Sequence, residues 1–269
     1  ATRSSALRTA ADSLRLGGEW SLTLADRLNG HARLWRESGD LVPAGIALGL
    51  SEGRLDLRAE AGRIEAALAL RGRRLGEVDG RLEAKAGSSQ LLDLQAPWQG
   101  RVRVDVPDLA WAGPLAGEGI QLAGGLSGTL VLSGTPARPG YKGNWRGESL
   151  AVRALDQGMR LERGELLLEL DGDLLRLRKL AFDSEFAPLP RVLRLDERLD
   201  VAALTGRPGR LEASGELRFG TVGEESGHLD FRLDRVGVMQ QPDQWVAVSG
   251  EGRAVLGRGG LDLVGRRHR

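Results

Sequence analysis

The residues able to do chemistry are few and scattered. Three histidines, His31, His228 and His268, lie in separate segments, and no pair has a metal-ligating spacing such as HExxH. His228 opens a strand-like run on its polar side, and His268 sits in a basic tail. Asp171-Gly172-Asp173 resembles the opening of a calcium loop. The twelfth position from Asp171 is Phe182, where an EF-hand requires Glu, so the tripeptide reads as a hairpin turn. Gly117-Glu118-Gly119 runs on into Ile-Gln-Leu-Ala and fails the dinucleotide fingerprint. Neither a Walker loop nor a GxSxG elbow occurs. Glu224 and Glu225 sit in a turn-like Gly-Glu-Glu-Ser-Gly and need no catalytic role. The chain has no cysteine, which excludes disulfides and thiolate metal sites. The expectation is a non-enzymatic protein with no cofactor and no metal.

Charge excludes a further class. Lys and Arg number 38 against 37 Asp and Glu, a net charge of +1. Acids and bases interleave along the same segments, which reads as a solvated face. A nucleic-acid partner would call for a basic stripe. Apolar residues make up 41% and charged residues 28%, a globular composition. No apolar run reaches the roughly 18–20 residues of a membrane helix. The quietest stretch, Leu41–Leu50, is broken by Pro43, Gly45 and Gly49, and the opening ATRSSALRTA lacks the apolar core of a signal peptide.

The elements that would carry any site are strands. Apolar residues recur with period two almost throughout: Leu55, Leu57 and Ala59; Ile64, Ala66, Leu68 and Leu70; Val102, Val104 and Val106; Leu126, Leu130 and Leu132; Leu229, Phe231 and Leu233. Turn signals such as Asn29-Gly30 and Asp171-Gly172 punctuate the runs. Glycine, at 39 residues, is about twice its usual share. Runs repeat every ~8–12 residues, the spacing of all-β architecture, and predict about twenty strands. Helical periodicity is confined to Ala6–Leu16 and Asp196–Leu204. Pro188, Pro190 and Pro208 mark a possible elbow near 183–208. No composition shift demands a domain boundary, so residues 1–269 read as one β-repeat region. Both ends read as cuts from a longer protein; a barrel pairing first and last strands is the alternative. Strict alternation places Leu, Val and Ala on one face and Arg, Glu and Asp on the other. Such an apolar face must pack against a second layer or curl over a ligand, and the pattern alone leaves both open.

The run Leu126-Ser-Gly-Thr-Leu-Val-Leu-Ser-Gly-Thr-Pro-Ala-Arg-Pro with Gly143-Asn144-Trp145 resembles the repeat of TamB-like proteins, the inner-membrane subunits of the translocation and assembly module in the AsmA-like group. Arg160–Leu177, Leu204–Leu217 and Gln241–Gly250 are similar in the same way. The likeness is clearest over 109–263 and looser over 20–87. It implies a long antiparallel sheet curled into an elongated, taco-like groove with an apolar concave face. It also implies a periplasmic location within a protein anchored in the inner membrane, transport of phospholipid toward the outer membrane, and an Omp85-type outer-membrane barrel as partner of the full-length protein. On that reading phospholipid acyl chains are the ligand. The lining is Leu130, Leu132, Leu166, Leu168, Leu170, Leu211, Leu217, Phe219, Leu229, Phe231, Leu233, Val246 and Val248. Two alternatives stand beside it: a chaperone-like scaffold that lends sheet edges to outer-membrane or autotransporter strands by β-augmentation, and a structural β-solenoid with a dry core.

Overall fold

A computed structural model describes residues 14–24, 27–86, 93–156, 158–184, 208–219, 226–241, 244–257 and 260–266. Among them are fourteen strands: β1 (Arg15–Leu24), β2 (Leu28–Ser38), β3 (Leu50–Glu60), β4 (Arg63–Gly72), β5 (Gly76–Lys85), β6 (Gln99–Val106), β7 (Ile120–Thr135), β8 (Arg138–Ala154), β9 (Met159–Asp171), β10 (Leu174–Ser184), β11 (Gly209–Arg218), β12 (Ser226–Gln241), β13 (Gln244–Gly257) and β14 (Gly260–Arg266). They hydrogen-bond in sequence order in a single antiparallel sheet with β1 and β14 as its edges, so the sheet is not closed into a barrel. Among the described residues helix is limited to single turns at Pro43–Gly45, Ala110–Ala112 and Gly113–Ala116. The all-β expectation holds. Consecutive antiparallel pairing is a meander, a different topology from the parallel coil of a β-solenoid.

The described residues hold fourteen strands where about twenty were expected of the chain, and neighbouring apolar runs fuse in them. Leu175–Leu177 and Leu180–Phe182 read as two runs in the sequence. They form one strand, β10, whose register to β9 shifts between Leu177 and Lys179. The extra residue of a bulge interrupts period two without ending the strand. Asn29-Gly30 is not a turn: both residues lie inside β2, and the hairpin closes at Leu24↔Leu28. The Asn29 amide instead ties two hairpins together, accepting from the Ala61 N–H at 2.7 Å and donating to the Arg27 carbonyl. Asp171-Gly172 does turn the chain, with Asp171 opposite Leu174 and Gly172 at φ +63°. The helix expected over 6–16 is overturned at Leu14, which lies in no helix, and at Arg15 and Leu16, which belong to β1; residues 6–13, the helix at 196–204 and most of the elbow at 183–208 lie outside the described residues.

The chain divides into two compact units, residues 1–111 with 126–144 and residues 112–125 with 145–269. In the first, cross-strand partners carry one face across seven strands: Trp20, Ala32, Leu57, Ala66, Leu82, Gly100 and Leu132 form one row. Directly opposed residues share a face, so the row is the sheet equivalent of a helix stripe. Leu28, Ala59, Ile64 and Ala84 form a buried cluster, against which Ala86 and Trp98 pack. The segment before β3 is clasped by Asp40, whose carboxylate accepts from the N–H groups of Leu41, Gly49 and Leu50 at 2.7–2.8 Å.

The second unit obeys the same alternation with more interruptions. Register shifts break β9–β10 twice, β10–β11 once and β12–β13 twice. Ser149, Arg163 and Arg235 have positive φ within strands. That conformation costs a non-glycine residue about 1–2 kcal/mol. At Arg163 the cost is offset by an ion pair: its Nε lies 2.8 Å from Asp183 Oδ2, while Arg210 holds Oδ1 at 3.0 Å. Phe182 is buried, and its ring lies where a Cβ on Gly164 would stand, 2.2 Å from such an atom.

Candidate functional site

The predicted lining of the second unit comes together in register. Leu166 opposes Leu180, which opposes Ala213, then Phe231, then Gly252. Leu168 opposes Leu177, then Gly215, Leu229 and Ala254. Leu170 opposes Leu175, then Leu217 and Gly227. Leu211 lies between Phe182 and Leu233. Val248 faces Val236, and Val246 is paired with Val238 on β13 through its backbone. Phe219 stands just past β11, donating its N–H to the Asp173 carbonyl at 2.7 Å. Leu130 and Leu132 lie in the first unit, opposite Val102 and Gly100.

The rows alternate large and small residues, which levels the surface. Phe231 lies over Gly252, whose added Cβ would come within 2.4 Å of its ring. A large side chain set against a glycine lies flat on the sheet and leaves neither ridge nor hole.

None of the predicted lining side chains that the structure describes is buried. Leu130, Leu132, Leu166, Leu168, Leu170, Leu211, Leu217, Phe231 and Leu233 are half-buried, while Leu229, Val248 and Phe219 are 37%, 38% and 45% exposed. A second sheet packed across this face at about 10 Å would bury such positions. The face is apolar and continuous across adjacent strands within each unit; the described part of its predicted lining keeps contact with solvent, while Phe182, Ala213 and Val236 in the same rows are buried.

Sequence reasoning missed members of the same face. Leu175, Leu177, Leu180 and Phe182 on β10 complete the rows of the second unit, and Leu34, Leu55, Leu68 and Val102 form a row of the first. Their alternation was visible in the chain. The bulge in β10 hid that Leu177 and Leu180 share a face.

The opposite face is ionic. Arg33 bridges Glu19 and Asp56, Arg71 holds Asp79, Arg176 holds Glu216, Lys179 pairs with Glu165, and Arg253 grips Asp230 through two bonds. The Arg54 and Arg33 guanidiniums hold the Asp56 carboxyl below its usual range, and Arg253 does the same for Asp230. Exposed pairs of this kind contribute ~0–1 kcal/mol each, so this face keeps the sheet soluble more than it stabilises it. His228 belongs to it, with Nε2 3.7 Å from Asp230. Among the described residues no three His, Asp or Glu side chains are placed to hold a metal ion.

Comparison with protein-family models, curated proteins and solved structures found no match.

Proposed function

We propose that the open apolar face shields phospholipid acyl chains from water, and that the chain is a segment of a TamB-like lipid conduit in the bacterial envelope. Two lines support the reading: the resemblance of residues 109–263 to that family's repeat, and an apolar face on which every described residue of the predicted lining keeps contact with solvent, although Phe182, Ala213 and Val236 beside them are buried. The second observation carries it, because a dry core would close over the same residues. Periplasmic location, an inner-membrane anchor elsewhere in the full-length protein and an Omp85-type partner belong to the same proposal. The described residues contain no helix long and apolar enough to cross a membrane.

The work done is shielding, not catalysis. Each acyl CH₂ exposed to water costs ~0.8 kcal/mol, so a sixteen-carbon chain costs on the order of 10 kcal/mol in free transit. An apolar trough removes most of that barrier while the headgroup stays wet. Leu and Val rows levelled by glycine offer no strong local site, which suits sliding.

Leu168→Arg tests the reading, with bound phospholipid measured by native mass spectrometry and lipid extraction. Loss of loading in a variant whose circular dichroism is unchanged supports the conduit. A folded variant that loads normally removes Leu168 from the lining, and a variant that unfolds points to a packed core. Strand addition at the β1 edge is the second reading. It is favoured by one observation: among the described residues β1 pairs with β2 alone, and it carries Trp20 at 71% exposure. Competition by an outer-membrane strand peptide that leaves lipid loading untouched would support it.

A further inference from the structure

A cavity of about 710 Å³ opens at one rim of the first unit, where the start of β2, the β3–β4 turn, the end of β5 and the approach to β6 meet. Its wall is Trp98, held rigidly by Nε1–H donation to the Ser133 carbonyl at 2.9 Å and by its own N–H to the Gly134 carbonyl.

The charges around this cavity do not cancel. Glu83 is occupied: Arg63 reaches it at 2.8 Å and the Gln99 amide at 3.0 Å, and these bonds hold its carboxyl below the usual range, Gln99 first. Asp93 accepts from the N–H groups of Gln95 and Ala96 and keeps its charge, so the lining holds Arg27, Arg63 and Lys85 against Glu83 and Asp93. Arg27 and Lys85 also line the cavity, and neither has an ion-pair partner among the described residues. The two cavities against the charged face of the second unit differ. There Arg146 pairs with Glu148, Arg153 with Glu162, and Arg232 with Glu251.

Each cation at this rim is a chain neighbour of a residue in the buried cluster. Leu28 follows Arg27, Ile64 follows Arg63, and Ala84 precedes Lys85. Alternation therefore sends charge to one side of the rim and apolar surface to the other, across the width of one strand. The strands end here, so a molecule can pass around the edge from one side to the other.

We propose that this rim binds the phosphate of an anionic phospholipid headgroup, with Arg27 and Lys85 as its cationic contacts, Trp98 as its wall and the acyl chains leading onto the apolar face. The assignment rests on the lipid-shielding reading and adds the substrate class: lipids of net negative charge over zwitterionic ones. Three cations against two carboxylates leave the lining net positive, with Arg27 and Lys85 outside any ion pair among the described residues; this suits a phosphodiester, which accepts charge-assisted hydrogen bonds, and disfavours a headgroup that brings its own ammonium.

The test incubates the 269-residue chain with vesicles of equimolar dioleoylphosphatidylglycerol and dioleoylphosphatidylcholine, and measures the ratio of bound lipids after extraction. Enrichment of phosphatidylglycerol by about tenfold is expected. The double variant Arg27→Gln/Lys85→Gln should bring the ratio to about one through loss of bound phosphatidylglycerol. Equal loading by the wild type, or a preference that survives in the double variant, overturns the assignment and leaves the shielding reading standing. Displacement by micromolar glycerol 3-phosphate also overturns it, in favour of a soluble phosphate ligand; indifference to millimolar glycerol 3-phosphate supports the lipid source. If neither lipid loads, the shielding reading fails, and titration calorimetry with glycerol 3-phosphate decides the anion site by itself. Heat lost in the double variant keeps a phosphate site at Arg27 and Lys85, and no heat from the wild type removes it.

Discussion

The two units apply the same alternation to opposite ends. In the first, the ladders from β2 to β7 run with a single register shift, near Leu50, and the residues meeting across them are often Ala or Gly. Buried side chains gather at both strand ends, with Leu28, Ala59, Ile64 and Ala84 clustered at one rim and Leu48, Leu50 and Val106 away from it, and the chain outside the strands is tied down by Asp40 and Trp98. In the second, the apolar rows are richer in Leu and Phe, and the ladders are interrupted by bulges at which Arg163 and Arg235 take positive φ. Bulges bend strands and increase local twist. Regular pairing with small residues gives a sheet that can be closed locally by its loops. Bulged pairing with large residues gives one that must bend to shelter its face. The difference assigns rim chemistry to the first unit and broad apolar area to the second.

The contrast is broken most severely at Gly164. A Cβ there would overlap the Phe182 ring at 2.2 Å and approach Leu150 Cβ at 2.7 Å, and both of those residues are buried. Gly164→Val is expected to cost the second unit about 3 kcal/mol, the overpacking penalty of a filled site. Urea unfolding followed by hydrogen exchange should show lost protection in β9 and β10 with β3–β5 unchanged. Equal losses in both units would show that they unfold as one body.

Much of this was legible in the chain before folding. The strands and the apolar rows at Leu166–Leu170 and Leu229–Leu233 follow from period two alone, while the antiparallel pairing was expected from the family resemblance. The bulges were not legible: nothing in Arg163 or Ser149 announces positive φ, because these are not the glycine or asparagine that such a backbone favours. Their conformation is imposed by partners on other strands, Asp183 in the case of Arg163. Asn29-Gly30 misled for a related reason. Its turn chemistry is real, but Asn29 spends it on Ala61, thirty-two residues away. The rim cavity was invisible as well, since Arg27, Lys85 and Trp98 meet only once the register of β2 through β6 is set. Local pattern determines faces, and pairing across strands determines sites.

A smaller effect separates the first unit by pH. Asp40 is the carboxylate on which its 41–50 segment closes. Desolvation works to raise its pKa and is outweighed by the N–H donors of Leu50, Gly49 and Leu41, with Arg36 adding to them, so the group sits below its ordinary value. The unfolded chain takes up that proton more readily than the folded one. The stabilisation is therefore complete above the unfolded value near 4 and is lost as pH falls below it, through the folded-state pKa. Asp40→Ala should cost about 2 kcal/mol at neutral pH by leaving the three donors without their acceptor. Protection factors over 39–50 should fall in the variant at pH 7, and their acid sensitivity below pH 4 should diminish. A variant that keeps the wild-type acid profile would place the sensitivity elsewhere, with Asp183 in the second unit the next carboxyl to replace.

The smallest effect sharpens the comparison by improving the first unit. Glu60 opposes Arg63, so Ala61 and Gly62 form a two-residue hairpin loop, with φ of +49° and +82°. Two positive φ values are the signature of a type I′ turn, which favours Asn-Gly. Alanine at the first position carries a Cβ penalty that asparagine tolerates better. Ala61→Asn is expected to raise stability by roughly 0.5–1 kcal/mol, read as a higher urea midpoint with an unchanged slope. The Ala61 N–H keeps its bond to Asn29, since only the side chain changes. A gain confined to exchange in β3 and β4 would mark the first unit as a body that can be stabilised by itself. A loss would mean that the Ala61 methyl is needed at the rim, where it lines the same cavity as Arg27.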